Sequence, residues 1–209
     1  MNVLAIGAHF DDLELGCGGT MARHARAGDK VYAYVATVSG FANHYNVTVR
    51  TNETARKEAE AAMKILGVTE LICGAFKTLE VEFIDAVNVE ILRLVEEKKI
   101  DLVLSHWPGD IHHDHQAIAR ASIHASRHVP RQLLYRSNWY HSTADFRGNF
   151  YVDITETWEL KKKSIEAHAS ELERTGRKWL GFFQKEAENA GQRIGVRYAE
   201  VFEVLKWIE

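Results

Sequence analysis

The chain has 209 residues, a formal net charge of −3 and a hydrophobic fraction of 46%. These values predict one globular domain over residues 1–209 with a sizeable core, and the charge lacks the basic excess of a nucleic-acid-binding protein. Two cysteines are too few for a disulfide framework or a cysteine-based zinc site. Since no signal peptide is visible and no apolar run approaches the roughly 18 residues that span a bilayer, we expect a cytoplasmic protein without a transmembrane segment.

Apolar periodicity predicts strands that alternate with helices along the chain. The predicted order is a strand at 3–7, a helix at 12–26, a strand at 31–38, a loop at 39–49, a helix at 51–66, a strand at 70–73, a helix at 84–98, a strand at 101–105, a helix at 112–126, strands at 133–136 and 150–153, helices at 155–169 and 170–189, and a strand at 198–205. Such alternation is typical of parallel strands joined by crossover helices. We therefore predict a three-layer α/β fold, with a mostly parallel, Rossmann-like sheet and helices on both faces.

Polar side chains follow the first strand, where the sequence reads AIGAHFDDLELGCGGT. His9, Asp11 and Asp12 occupy the turn in which a dinucleotide-binding fingerprint requires glycines, and two carboxylates there would repel a pyrophosphate. The later glycines fall inside the predicted helix, where they permit close packing on the sheet. A metal ion suits this turn better, because His9 and Asp12 are three residues apart and zinc takes imidazole and carboxylate ligands.

A second polar cluster, SHWPGDIHHDHQ, follows the predicted strand at 101–105. Because ligands of open α/β sheets bind at the carboxyl ends of the strands, the two clusters can converge on one cleft. His112, Asp114 and His115 would then offer a third ligand and its support. At this point, alternatives to a metal site stay open: Asp12 can be a simple helix cap, and the histidines can be surface residues.

Taken together, the two clusters resemble the motifs of the PIG-L/LmbE-like zinc-dependent de-N-acetylases. The family's A-H-P-D-D-x-E is matched by AHFDDLE at 8–14, and its H-P-D-H by HHDH at 112–115. The helical stretch RKEAEAAMKILG and the late GVRYAEVF are also similar, so the likeness extends over nearly the whole chain. The stretch KKKSIEAHAS resembles a family segment that ends in H-x-S-Q, with Glu171 in place of the glutamine.

The resemblance implies a role for each matching residue. The implied zinc ligands are His9, Asp12 and His115; the implied catalytic residues are Asp11 as general base, His112 as the imidazole on the scissile carbonyl, and Asp114 as the partner that keeps His112 charged; the implied substrate-binding residues are Arg56 and Tyr198. Such a set suits amide hydrolysis, because zinc lowers the pKa of its bound water toward ~7. Another divalent ion such as Fe²⁺ is an alternative, since affinity order alone does not select zinc.

The chain departs from the family pattern at two prolines, which are Phe10 and His113 here. Proline fixes φ near about −65°, so its loss frees the turn without removing a metal-binding atom. We expect His113 to be a neighbour of the site and not a ligand. Arg56 and Tyr198 keep structural alternatives, as a solvated helix residue and a core residue.

By this resemblance the chain is a hydrolase that removes the acetyl group from an N-acetylated amino sugar, either free or linked to a carbohydrate, nucleotide, lipid or thiol, in a fold that can form homo-oligomers. The alternatives are an amidase acting on a larger acyl or thiol conjugate, and a metal- or sugar-binding module without turnover. Asp11 argues against the module, because binding alone needs no base beside a ligand. Trp107, Trp139 and Trp179 can stack on sugar rings, although core packing is the favoured interpretation of each.

Overall fold

The computed structural model describes residues 1–138, 140–142 and 144–209. In chain order the elements are β1 (Asn2–Gly7), α1 (Asp12–Arg26), β2 (Lys30–Thr37), β3 (Phe41–Ala42), β4 (Thr48–Arg50), α2 (Asn52–Leu66), β5 (Glu70–Phe76), α3 (Asp85–Glu97), β6 (Leu102–His106), α4 (His113–Ala125), β7 (Arg131–Tyr135), β8 (Phe150–Asp153), α5 (Trp158–Glu166), α6 (Ala169–Thr175), α7 (Lys178–Ile194) and β9 (Ala199–Trp207). Among the described residues, no helix combines the length and the apolar character needed to cross a bilayer.

Seven strands form one sheet in the order β5-β2-β1-β6-β7-β9-β8, and β3 pairs with β4 in a separate hairpin. The first five strands in this order are parallel, whereas β9 is antiparallel to both β7 and β8. The chain runs outward from β1 to β2 and β5, and then returns to β6 on the other side of β1. The carboxyl ends of β1 and β6 therefore open a crevice where the strand order reverses, which is where open α/β sheets bind ligands.

Helices bury both faces of this sheet. Val3 and Ala5 of β1 belong to the core under α1, α2 and α5, whereas Leu4 and Ile6 belong to the core under α3 and α4. All four side chains are fully buried, because successive residues of a strand point to opposite faces. The predicted α/β fold, with a mostly parallel sheet and helices on both faces, is confirmed.

A buried charge pair joins α1, α5 and β9. Helix α1 kinks at Cys17, whose φ of −144° is not helical, and the kink frees backbone N–H groups in the next turn. The N–H groups of Gly19 and Thr20 donate to the carboxylate of Glu200 at 2.9 and 2.7 Å. Lys161 donates to the same carboxylate at 2.6 Å. Because the pair is buried and hydrogen-bonded, it fixes the two helices and the strand relative to one another.

Two predicted segments differ from the structure in detail. The predicted loop at 39–49 contains the β3–β4 hairpin, because the Asn43 side chain accepts two backbone hydrogen bonds across its turn. The predicted helix at 170–189 is instead divided between α6 and α7. Gly176 and Arg177 both have left-handed backbones, with φ values of 62° and 60°, and such a backbone ends a right-handed helix.

Candidate metal centre

The turns that follow β1 and β6 meet in the crevice. His9 and Asp12 come from the turn that opens α1, and His115 comes from the first turn of α4. His9 Nδ1 lies 3.2 Å from His115 Nε2 and 3.4 Å from Asp12 Oδ2, and His115 Nε2 lies 3.2 Å from Asp12 Oδ1. The structure thus brings to one point the three residues that the sequence analysis names as ligands.

This spacing fits a tetrahedral metal ion. Ligand atoms at about 2.0–2.1 Å from a tetrahedral zinc ion are about 3.3 Å from one another. The two imidazole nitrogens are 3.2 Å apart, close to that value, and each lies at a similar distance from one Asp12 oxygen: His9 Nδ1 is 3.4 Å from Oδ2 and His115 Nε2 is 3.2 Å from Oδ1. Two imidazoles and one carboxylate are also a typical ligand set of catalytic zinc sites, which keep a fourth position open. The residues present therefore fit such an ion in both geometry and chemistry.

A carboxylate outside the ligand set orients each imidazole. Asp114 Oδ2 lies 2.8 Å from His9 Nε2, and Asp110 Oδ2 lies 3.1 Å from His115 Nδ1. The hydrogen bond with Asp114 places a proton on His9 Nε2 and leaves Nδ1 as the lone-pair nitrogen. The contact of Asp110 with His115 lacks hydrogen-bond geometry, and its charge favours a proton on Nδ1 and a lone pair on Nε2. The two lone-pair nitrogens are the atoms that face Asp12, so each imidazole presents a metal-binding nitrogen to the centre.

The carboxylate of Asp12 is held from several sides. Its Oδ2 accepts the backbone N–H groups of Ala8 at 3.1 Å and His9 at 2.8 Å, and it lies 3.1 Å from His106 Nε2. Its Oδ1 accepts the hydroxyl of Ser137 at 2.8 Å. A carboxylate with this many partners has little freedom, so the third donor of the cluster is fixed before any ion arrives.

The cluster carries an excess of negative charge. Burial lowers the pKa of His9, but hydrogen bonds with Asp114 and Asp12 outweigh it and raise the pKa to about 9. Asp12 and Asp110 likewise raise the pKa of His115 to about 10 against the effect of burial. Although burial raises the pKa of Asp12, the nearby imidazoles hold it well below its ordinary value. The carboxylates of this cluster thus favour positive charge at the imidazoles, which a cation can supply in place of protons.

Asp11 stands apart from the three donors and has a strained backbone. Its φ of 142° and ψ of −27° lie in a region that residues other than glycine avoid. The backbone of the preceding residue is held at both of its polar groups, because the N–H of Phe10 donates to Ser39 Oγ at 2.8 Å and its carbonyl accepts Arg50 Nη1 at 3.0 Å. Burial and the charge of Asp12 raise the pKa of Asp11 to about 7.

Arg50 connects Asp11 to a buried network. Its Nη1 lies 3.9 Å from Asp11 Oδ2, and its Nη2 donates to Glu58 Oε2 at 2.8 Å and to His168 Nδ1 at 3.0 Å. Because a guanidinium only donates, His168 Nδ1 is the acceptor and the ring carries its proton on Nε2. That Nε2 donates to Glu14 Oε1 at 2.7 Å. The network therefore fixes the guanidinium whose end group lies beside Asp11.

The structure pairs Asp114 with His9 and not, as the resemblance implies, with His112. The His112 Nδ1 instead accepts the backbone N–H of Asp114 at 3.2 Å and caps helix α4. Burial, together with the positive charges of His9 and His115, lowers the pKa of His112 to about 4. The His112 ring is thus a neutral imidazole with its proton on Nε2, where the resemblance implies a charged one.

A cavity of about 590 Å³ opens over this cluster. Besides His9, Asp11, Asp12, His112 and His115, its lining includes Arg50, Phe41, Leu79, Ile111, Tyr140 and Trp179. Of the tryptophans considered as stacking residues, Trp107 is buried, Trp179 lines the cavity, and Trp139 lies outside the described residues. The cluster and the cavity together form a candidate active-site cleft.

The structure places the two predicted substrate-binding residues outside this cleft. The Arg56 side chain is 62% exposed on α2 and pairs with Glu60 at 3.0 Å. Tyr198 is buried, and its ring stacks on Trp158 with the ring centroids 4.6 Å apart. These positions match the alternatives of a solvated helix residue and a core residue.

Among the residues of the site that have no assigned role in the sequence analysis are Ser39, Arg50 and Ser137. Ser39 and Ser137 each come directly after a predicted strand, at 31–38 and 133–136, so the rule that ligands bind at carboxyl ends of strands could have found them. Arg50 gives no such signal, because it precedes a helix and reaches Phe10 through a tertiary contact.

Comparisons with known proteins agree with the motifs. The family model described as GlcNAc-PI de-N-acetylase (PIG-L) matches residues 4–126. The Escherichia coli protein named uncharacterized deacetylase YaiS is 31% identical over an alignment of 185 positions that covers 80% of this chain and 90% of that protein. The diacetylchitobiose deacetylase of Thermococcus kodakarensis is 27% identical over 219 residues, covering 95% of this chain and 80% of that protein.

Solved structures share the fold over the whole chain. The N,N'-diacetylchitobiose deacetylase from Pyrococcus horikoshii has a TM-score of 0.83 at 25% identity and covers 98% of this chain and 83% of its own. The 4-carboxy-2-hydroxymuconate hydratase GalB from Pseudomonas putida has a TM-score of 0.82 at 17% identity, covers 100% of this chain and 97% of its own, and shows the fold alone. Since the family model matches more than half of the sequence, and its AHFDDLE and HHDH motifs lie within the match, the chain belongs to the PIG-L family.

Proposed function

We propose that the chain is a metal-dependent amide hydrolase that removes the acetyl group from an N-acetylated amino sugar or its conjugate. The observation that carries this proposal is a single cavity in which three metal-type donors lie beside a carboxylate, Asp11, that is not one of them. The relatives support the substrate class, because diacetylchitobiose deacetylases are named for an N-acetylated sugar.

His9, Asp12 and His115 are the residues that would hold the ion, with Zn²⁺ favoured by the donor set and Fe²⁺ as the alternative. When bound, the ion supplies Lewis-acid chemistry, which polarises a carbonyl oxygen and makes water a better nucleophile near neutral pH. Asp114, through its hydrogen bond to His9, and Asp110, through the charge it places beside His115 Nδ1, favour the tautomers that this binding requires.

Asp11 is suited to the role of general base. It is the N-cap residue of α1, yet its side chain makes no capping hydrogen bond, so the helix N-terminus does not engage its carboxylate, which lines the cleft. In the reaction its carboxylate takes a proton from the attacking water and returns that proton to the nitrogen of the leaving amine.

His112 is suited to the role of hydrogen-bond donor to the scissile carbonyl oxygen. Its Nδ1 is occupied by the backbone N–H of Asp114, so the proton on Nε2 is the one it can present to substrate. The negative charge that develops on the carbonyl oxygen strengthens this hydrogen bond in the transition state. Removal of such a donor typically costs about 10²–10³-fold in rate.

The first prediction separates the base from the ligands. Asp11→Asn removes the proton acceptor and leaves the three donors in place, so we expect unchanged metal content and a loss of about 10²–10⁴-fold in turnover. His9→Ala should lose both metal and turnover. Metal content by mass spectrometry and acetate release from N-acetylglucosamine and diacetylchitobiose, measured on the same preparations, test this.

The matched control is His113→Ala, since His113 is adjacent to the cluster but its Nε2 donates to the carbonyl of Leu79. This variant should keep its metal. Full turnover by Asp11→Asn would refute the assignment of the base. Metal without release of any acyl group would favour the binding module, and release of larger acyl groups in preference to acetate would favour the amidase.

A further inference from the structure

Three apolar side chains surround the mouth of the cleft. Leu79, Ile111 and Tyr140 line the same cavity as the metal-type donors. Their exposed fractions are 51%, 57% and 59%, although core residues of these types are normally buried. An apolar group that entered the mouth would cover all three, and covering apolar surface is favourable.

Leu79 also has a backbone conformation that leucine does not favour. Its φ is 68°, in the left-handed region where glycine and asparagine are more stable. The conformation itself is explained by Asp114, which accepts the backbone N–H groups of Leu79 at 2.8 Å and Val81 at 3.1 Å. The large apolar side chain is not explained by those contacts, since glycine or asparagine would make the same backbone hydrogen bonds. An exposed leucine in a strained position indicates a role for the side chain itself.

The charges in the cleft disfavour an anionic ligand. Arg50 is neutralised by Glu58, at 2.8 Å, and Arg174 forms an ion pair with Glu171. Both arginines line the cavity, and among the described residues they are its only Lys or Arg side chains. An anionic group at the mouth would therefore have to compete with a carboxylate for either guanidinium.

The cavity is also large enough for more than one group. Its volume of about 590 Å³ lies within the range of pockets that hold drug-sized ligands. An N-acetyl sugar whose amide reaches the donors would leave its glycosidic substituent at the mouth. We propose that Leu79, Ile111 and Tyr140 form a subsite for a neutral, apolar aglycone, such as an aryl or alkyl group, on an N-acetylated amino sugar. This inference rests on the proposed function for the sugar part of the ligand.

The test compares methyl, phenyl and 4-carboxyphenyl glycosides of N-acetylglucosamine, in both anomers, on the metal-loaded protein. Dissociation constants are measured by calorimetry on the Asp11→Asn variant, and kcat/KM for acetate release on the unaltered chain. We expect the phenyl glycoside to bind about tenfold more tightly than the methyl glycoside, since about 1.4 kcal/mol of apolar burial corresponds to that factor. The added carboxylate should remove the advantage.

Leu79→Asn retains a residue that accepts a left-handed backbone, and Ile111→Ser shortens the second side chain. In the double variant the phenyl-to-methyl affinity ratio should fall to within about twofold of one. The matched control is Val89→Ser on α3, which is 62% exposed and does not line the cavity, and it should keep the full ratio.

Equal affinity for the methyl and phenyl glycosides, absent binding of both, or an unchanged ratio in the double variant would overturn the subsite. The two proposals fail in different ways. Tighter binding of the phenyl glycoside than of the methyl glycoside, without acetate release from either, would refute the proposed function and support the subsite. Acetate release at equal kcat/KM from all three glycosides would support the hydrolase and refute the subsite.

Discussion

At the scale of single residues, the site depends on a strained aspartate. A backbone such as that of Asp11 costs on the order of 1–3 kcal/mol and persists only where its surroundings hold it. Those surroundings are visible, because Ser39 holds the backbone N–H of Phe10 and Arg50 holds its carbonyl. The strain turns the carboxylate away from the capping position of α1. We therefore expect Arg50 to be a positioning residue for the proposed base.

Arg50→Lys keeps the positive charge but cannot hold Phe10, Glu58 and His168 at once, since an ammonium lacks the planar fork of a guanidinium. We expect kcat to fall about 10–100-fold, with KM and metal content nearly unchanged, because misplacement of a catalytic group by about 1 Å has that cost. Steady-state kinetics and metal analysis measure this. Arg56→Ala is the comparison: a large loss there, with little effect of Arg50→Lys, would support the assignment of Arg56 from the sequence instead.

The residue scale also shows how far sequence reasoning reaches. Spacing and metal chemistry predict His9 and Asp12 as a pair of ligands, whereas only the resemblance to the family motif selects His115 from its neighbours. Arg50 could not be found in this way, since its role comes from the backbone strain at Asp11 and from partners far along the chain. Similarity of a helical motif favoured Arg56, but nothing in a motif tells which face of the helix meets solvent.

At the scale of elements, the predicted close packing of α1 on the sheet is present at particular glycines. A Cβ on Gly16 would lie 2.1 Å from Tyr135 Cδ2, whereas a Cβ on Gly18 would meet its neighbours at ordinary distances of 3.6 Å. The Tyr135 ring cannot withdraw easily, because its hydroxyl donates to the carbonyl of Ile6 at 2.7 Å. The sequence predicts glycines in this helix, but only the tertiary contact distinguishes their roles.

Gly16→Ala should therefore destabilise the fold by about 1–3 kcal/mol, which is the usual cost of overpacking. Gly18→Ala, two residues away in the same helix, should be neutral or slightly stabilising, because alanine lowers the entropy of the unfolded chain. Urea unfolding of both variants measures the two free energies. Equal effects of the two substitutions would contradict the packing argument.

At the scale of the whole molecule, strand β9 at the antiparallel edge of the sheet is joined to helices α1 and α5 by the buried pair of Glu200 and Lys161. Sequence patterns predict β9 as a strand and α5 as a helix. They do not predict that the Glu200 carboxylate on β9 accepts the backbone N–H groups that the kink in α1 leaves without helical partners. Such compensation is a property of the assembled fold, since the kink at Cys17 and the carboxylate lie at opposite ends of the chain.

Removal of one partner leaves an uncompensated buried charge, so Lys161→Met should cost about 3–5 kcal/mol of the free energy of unfolding. Glu200→Gln should also destabilise, while the double variant should be more stable than the sum of the two effects predicts. Chemical denaturation of the four proteins completes the cycle. Strict additivity would show that the two side chains do not act as a pair.

The separation of the two polar turns has a consequence for biosynthesis. His9 and His115 are 106 positions apart, so a ribosome exposes the first long before it has made the second. A nascent chain that has folded only β1, α1 and β2 lacks one of the three donors and cannot enclose an ion. An ion would then bind only after β6 has joined the sheet and α4 has followed it. Any stabilisation by the ion would therefore apply only to chains that have completed this folding step.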